Sequence, residues 1–226
     1  MTRAPDMRRA APGDDLFSLA GTIRASLDAV NAARETGLAA CRRTIRACGS
    51  AIRAVHRQDS DRAAALRGEA EVALREAQRA VRPHPSVAYA GFLHDAEKEY
   101  AEAVLTAALV AGRPLPSAAD ITVELPAWLN GLAEAASELR RHLLDRLREG
   151  DVATAEALLA AMEDVYDLVV SIDYPDAVTG GLRRTADALR AVLERTRSDL
   201  TTTILQARLQ HAIERRLGGP DQGPTD

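Results

Sequence analysis

Apolar residues recur every three or four positions along most of the chain, and that spacing predicts one helix after another. The first stripe runs Leu16, Leu19, Ile23, Leu27 and Val30, then Leu38, Cys41, Ile45, Cys48, Ile52 and Val55. It is close to a heptad with a stutter between Val30 and Cys41, and Asp14 or Asp15 is placed to cap its start. A helix of about 40 residues is about 60 Å long, more than one small domain needs, so packing against other subunits is expected. A break at Gln58–Ser60 precedes a second helix over 61–81, which ends at Arg82–Ser86 because the residue before each proline is driven out of the helical region. A third helix is predicted over 86–111. Gly112–Pro126 follows as the longest irregular connection, then a fourth helix over 127–149, with Gly150-Asp151 as stop and new cap, and a fifth over 152–172. After Asp173–Pro175 a last long helix carries Leu182, Leu189, Leu193, Thr196, Leu200, Ile204 and Leu209, with Gly180-Gly181 near its start as a candidate kink. Residues 1–13 and 218–226 read as disordered ends. No hairpin signal and no fixed repeat interrupts the pattern. The expected fold is all-α: a single bundle of six or seven helices over residues 14–217.

Composition supports that reading, since aromatic residues make up only 3% of the 226-residue chain and strong helix formers dominate. The formal net charge is −4, whereas a protein that coats nucleic acid non-specifically carries a basic surplus. Any RNA contact must therefore lie in a local basic zone, and with so few aromatics base stacking is not its main mode. Lys98 is the sole lysine, so almost all positive charge is guanidinium, which suits phosphate. Cys41 and Cys48 are too far apart on one helix for a disulfide and read as buried thiols. Met1–Asp14 is charged and has no apolar run, and no window reaches the length of a membrane span. A cytoplasmic protein without membrane contact is expected.

The third predicted helix carries Asp95, Glu99 and Glu102, and the fourth carries Glu134, Glu138 and Arg141, each set on one stripe. If the stripes face each other, four or five carboxylates converge, and such oxygen-only donors suit Mg²⁺ or Mn²⁺. From spacing alone a solvated acidic face is the commoner outcome. No histidine follows a glutamate by three residues, which removes a ferritin-like di-iron site. HExxH, phosphate-loop, GxSxG and CxxC motifs are also absent. His142, four residues after Glu138, is either a partner to it or a surface histidine. His56 and Arg57 close the first helix, where their positive charge either complements the helix dipole or contacts RNA. Arg42, Arg43, Arg46, Arg53 and Arg57 either track phosphates or form an exposed charged face.

At these residues the sequence resembles the translin/TRAX family. EYAEA (Glu99–Ala103) is similar to the family's EYVEA segment, and GLAEAASELRR (Gly131–Arg141) to its G-x-A-D-L-x-G-E-L-x-R segment. The stretch from Tyr166 to Leu200 resembles the C-terminal helices of archaeal and bacterial members. Ala33–Glu35, Arg53 and His56-Arg57 fit the first helix more loosely, and together the likeness spans most of residues 15–210. It implies a TRAX-like prokaryotic member: an all-α bundle in a hollow homo-oligomer, commonly an octamer, holding RNA inside, with a translin-like partner subunit as an option. TRAX-type members are Mg²⁺- or Mn²⁺-dependent endoribonucleases on single-stranded RNA. The resemblance carries that role to Glu99, Glu102, Glu134 and Glu138, as metal ligands and catalytic groups, while Arg140, Arg141 and His94 are candidate phosphate contacts. The alternative is a non-catalytic oligomer that binds single-stranded RNA or DNA. Glu134 stands where the family has aspartate, one methylene shorter, and Ser137 where it has glycine.

Overall fold

The computed structural model of the chain describes residues 12–217, so the predicted disordered ends fall almost wholly outside the described residues. Eight helices follow in order: α1 (Pro12–His56), α2 (Ser60–Val81), α3 (Pro85–Ala88), α4 (Phe92–Val110), α5 (Leu125–Arg148), α6 (Val152–Ser171), α7 (Asp176–Thr179) and α8 (Leu182–Leu217). No strand occurs among the described residues. Six helices are long, as the apolar periodicity predicts, and α3 and α7 are single turns. The predicted third helix is not continuous: it splits into α3 and α4 at Gly91, whose φ of 94° is costly for any side chain with a Cβ. The Gly180-Gly181 pair is a true break rather than a kink. Gly180 ends α7 in the left-handed conformation and Gly181 also has positive φ, so α8 starts afresh at Leu182.

Local chemistry explains the other boundaries. The Asp59 carboxylate accepts from the Arg62 amide at the start of α2, and Asp151 does the same for Thr154 at the start of α6. The long connection before α5 is pinned by side chains. Arg75 donates to the carbonyls of Ile121 (2.6 Å) and Thr122 (2.8 Å). The buried Glu97 carboxylate accepts from Gln78 Nε2 (2.7 Å) and from the Glu124 amide (3.1 Å).

The parallel pair α4–α5 forms the centre, with α1 and α2 packed on α4, and α6 and α8 on α5. Fully buried Leu74, Leu105, Leu132, Leu139, Leu143, Met162 and Leu189 fill the core. Many buried side chains on α4 and α5 are single methyl groups, including Ala101, Ala103, Ala133 and Ala136. Cys41 and Cys48 are buried free thiols, as expected, and burial pushes them up to about 11 and about 12. The N-terminal half of α1 and the C-terminal half of α8 are different: Leu16, Phe17, Leu19, Ile23 and Leu27, and Leu205, Leu209 and Ile213, all lie exposed. The apolar stripe is therefore half used within this chain. No helix among the described residues is long and apolar enough to cross a membrane.

Candidate metal centre between α4 and α5

Gly131 sets the geometry. A Cβ there would lie 2.7 Å from the Lys98 carbonyl oxygen and 2.9 Å from the Glu102 amide nitrogen, so only glycine lets α5 come this close to α4. One turn on, Glu134 meets Glu99 and Glu102, which are three residues apart on one face of α4. Each offers a carboxylate oxygen, and the three oxygens lie within 4.8 Å of one another.

The charges are poorly compensated. Glu102 is 9% exposed, and burial, then the charges of Glu134, Glu99 and Glu138, push its carboxyl up to about 8. Burial also raises Glu99, with Lys98 opposing. Lys98 supplies the positive charge: its Nζ donates to both oxygens of Glu134, at 2.7 and 2.6 Å, and lies 3.5 Å from Glu99. Burial works against the ammonium, but the hydrogen bond and charge of Glu134 outweigh it and raise its pKa. Three converging oxygen donors, one of them raised by burial and by its negative neighbours, fit a hard divalent cation such as Mg²⁺ or Mn²⁺. Lys98 competes with such an ion for Glu134. Lys98→Met is therefore expected to tighten Mn²⁺ binding by about tenfold while destabilising the metal-free protein. Titration calorimetry checks this, and weaker binding in the variant would assign Lys98 to the metal-bound site instead.

The fourth predicted carboxylate, Glu138, lies one turn further along α5 and is engaged elsewhere. Its Oε2 is 2.6 Å from Nε2 of His56, a side chain only 4% exposed. With the proton on Nε2, His56 donates to Glu138, and its buried Nδ1 has no hydrogen-bond partner. His56 was expected at a helix end, complementing the dipole. It sits there, but it also reaches across to α5. His142 is half-buried, and burial and then Arg146 lower its pKa.

Beyond Glu134 the cluster opens into a cavity of about 410 Å³, lined by His94, Asp95, Lys98, Asn130, Gly180 and Arg184 among others. Buried Asn130 organises its wall: Nδ2 donates to the carbonyls of Pro126 and Thr179 (both 2.8 Å), and Oδ1 accepts from Thr185 (2.6 Å). His94 lies against Gly180, where an added Cβ would be 2.9 Å from the imidazole. Of the predicted phosphate contacts, His94 faces this cavity and Arg141 is exposed near Ser137 and Glu138. Arg140 is tied to α8, through Thr196 (3.0 Å) and Asp199 (2.7 Å). The residues that periodicity missed are Lys98, His56 and Asn130.

An all-helical bundle with carboxylates gathered between its two central helices has clear relatives. No protein-family model matches the chain. An uncharacterised protein of Methanocaldococcus jannaschii is 28% identical over 187 residues, 80% of this chain and 81% of that one. AfC3PO, solved alone and in complex with duplex RNA, is 32% identical with a TM-score of 0.76, over 84% of this chain and 98% and 97% of those chains. Apo NeC3PO, 16% identical, shares the fold at a TM-score of 0.73 over 87% of this chain and all of its own. The chain belongs to the translin/TRAX family of C3PO proteins.

Proposed function

We propose that this protein is a divalent-metal-dependent endoribonuclease that acts on single-stranded RNA inside a homo-oligomer. The observation that carries the reading is the convergence of Glu99, Glu102 and Glu134 at the closest approach of α4 and α5. RNA as the ligand is supported by AfC3PO, which has been solved with duplex RNA. An oligomer is supported by the exposed apolar stripes of α1 and α8, too extensive to be scattered surface residues.

Glu99, Glu102 and Glu134 would hold the ion. A bound Mg²⁺ or Mn²⁺ lowers the pKa of a bound water and offsets negative charge gathering on a phosphate. Glu102 gives up its proton when the ion is held, since the charge it lacks is then supplied. Glu138, held through Oε2 by His56, would take a proton from the attacking water through Oε1. His94 and Arg184 flank the adjoining cavity with groups that pair with phosphate oxygens.

With Mn²⁺ and a single-stranded RNA, cleavage is expected from the unaltered protein, and a loss of about 10²-fold or more from Glu99→Ala, Glu102→Ala or Glu134→Ala. Undiminished cleavage in these variants would remove the cluster from the reaction. A second reading, a non-catalytic RNA-binding oligomer, is favoured by the Lys98–Glu134 ion pair, which neutralises part of the cluster without a metal. It predicts salt-dependent RNA binding and no cleavage with any metal.

A further inference from the structure

A second cavity of about 540 Å³ lies at the other end of the α4–α5 pair, beside the turn that joins α1 to α2. Its charged lining is all positive, with Arg67 from α2, Arg113 just after α4 and Arg146 from α5, beside His142 and over an apolar floor that includes Val55 and Val110. No aspartate or glutamate among the described residues lines it. Arg67 and Arg113 have no ion-pair partner among the described residues. Arg146 holds Glu149 through its terminal nitrogens, at 2.8 and 3.0 Å, but its Nε is buried with no partner. Burial and then the neighbouring Arg113 weigh against the charge of Arg67, so the cations crowd one another. Crowded guanidiniums around one cavity call for an anion, and a phosphomonoester carries close to two negative charges where an internal phosphodiester carries one. The volume is ordinary for a small-ligand site.

We propose that this cavity binds a phosphomonoester: the terminal phosphate of an RNA strand, or that of a free nucleotide. Arg67 and Arg113 grip the phosphate, Arg146 adds positive charge at the wall, and the apolar floor carries the sugar and base. For a free nucleotide the site stands apart from the carboxylate cluster; for an RNA end it rests on the RNA reading above.

The test uses the full chain with adenosine 5′-monophosphate as probe and adenosine as the uncharged control. Calorimetry is expected to show binding of the monophosphate only, about tenfold weaker or worse in Arg67→Ala and in Arg113→Glu. Arg113 is exposed, so the second variant tests the charge without disturbing the core, and Glu102→Gln should bind as the unaltered protein does. A single-stranded RNA bearing a 5′-phosphate should bind more tightly than its 5′-hydroxyl twin, with the difference gone in Arg113→Glu, if the strand end is the source. Equal binding of the two RNAs, with the monophosphate still captured, identifies the free nucleotide as the source. Protein that never binds or cuts RNA, yet loses the monophosphate in both arginine variants, refutes the nuclease reading and upholds this one. No binding of the monophosphate, or equal binding by all variants, overturns it.

Discussion

Glu102→Gln is expected to make the metal-free protein more stable, raising its melting temperature by roughly 5–10 °C near pH 8.5 and by little near pH 5. In the folded chain Glu102 keeps its proton up to about 8, while an exposed glutamate in the unfolded chain loses it near ~4.3. Between those limits the folded state binds the extra proton, so stability falls as pH rises through that window. Below it both states are protonated and the penalty vanishes. Glutamine has the same shape and no proton to lose, so the variant escapes the loss, and its advantage grows with pH. Saturating Mn²⁺ should reverse the order. The unaltered protein gains stability from the ion by mass action, and the variant, one anionic ligand short, gains much less. Because ion binding expels a proton from Glu102, Mn²⁺ affinity should also weaken as pH drops below about 8. Calorimetric melting at the two pH values, with chelator and with Mn²⁺, checks all three statements. A melting difference independent of pH would mean that Glu102 is already ionised in the folded protein.

The long helices were legible because each buries one continuous stripe, and a period of three to four survives any local detail. Their interruptions were less so. Gly91 and Gly180-Gly181 break the chain by positive φ, which a glycine permits but does not announce. The exposed half of the α1 stripe shows why length was informative: Leu16 to Leu27 keep the core periodicity yet find no partner among the described residues. At the site, spacing placed Glu99 and Glu102 on one face but left open whether Glu134 would meet them. The family-like segments decided that, and the physical reason is Gly131 at the helix crossing rather than the acids themselves. Glu138 shared the stripe of Glu134, but its capture by His56, 82 residues earlier in the chain, is a tertiary contact that periodicity does not carry. Lys98 was conspicuous only as the sole lysine, and Asn130 was silent, because its role is to satisfy the ends of α7 and α8.

Gly131→Ala should have a second large effect, of opposite sign and on both stability and metal binding. The added methyl would sit 2.7 Å from the Lys98 carbonyl oxygen, 2.8 Å from the Ala101 Cβ and 2.9 Å from the Glu102 amide nitrogen. Two of those atoms are backbone within α4, so no side-chain rotation relieves the overlap and the helices must part. Separating two tightly packed central helices costs about 1–3 kcal/mol, or roughly 2–12 °C in melting temperature for a chain of this size. The same movement carries Glu134 away from Glu99 and Glu102. Mg²⁺ demands ligand distances near ~2.0–2.1 Å in octahedral array, so its affinity should suffer more than that of the more accommodating Mn²⁺. Gly68→Ala is the matched control. Gly68 lies in α2 with nothing within 4 Å of its would-be Cβ, and there the helix propensity of alanine should stabilise by about 0.5–1 kcal/mol. Should Gly131→Ala melt as late as Gly68→Ala and still bind Mn²⁺ normally, the carboxylates are not held together by the crossing of α4 and α5. The segment around EYAEA would then have to position them from within one helix, which two residues three positions apart cannot do for Glu134.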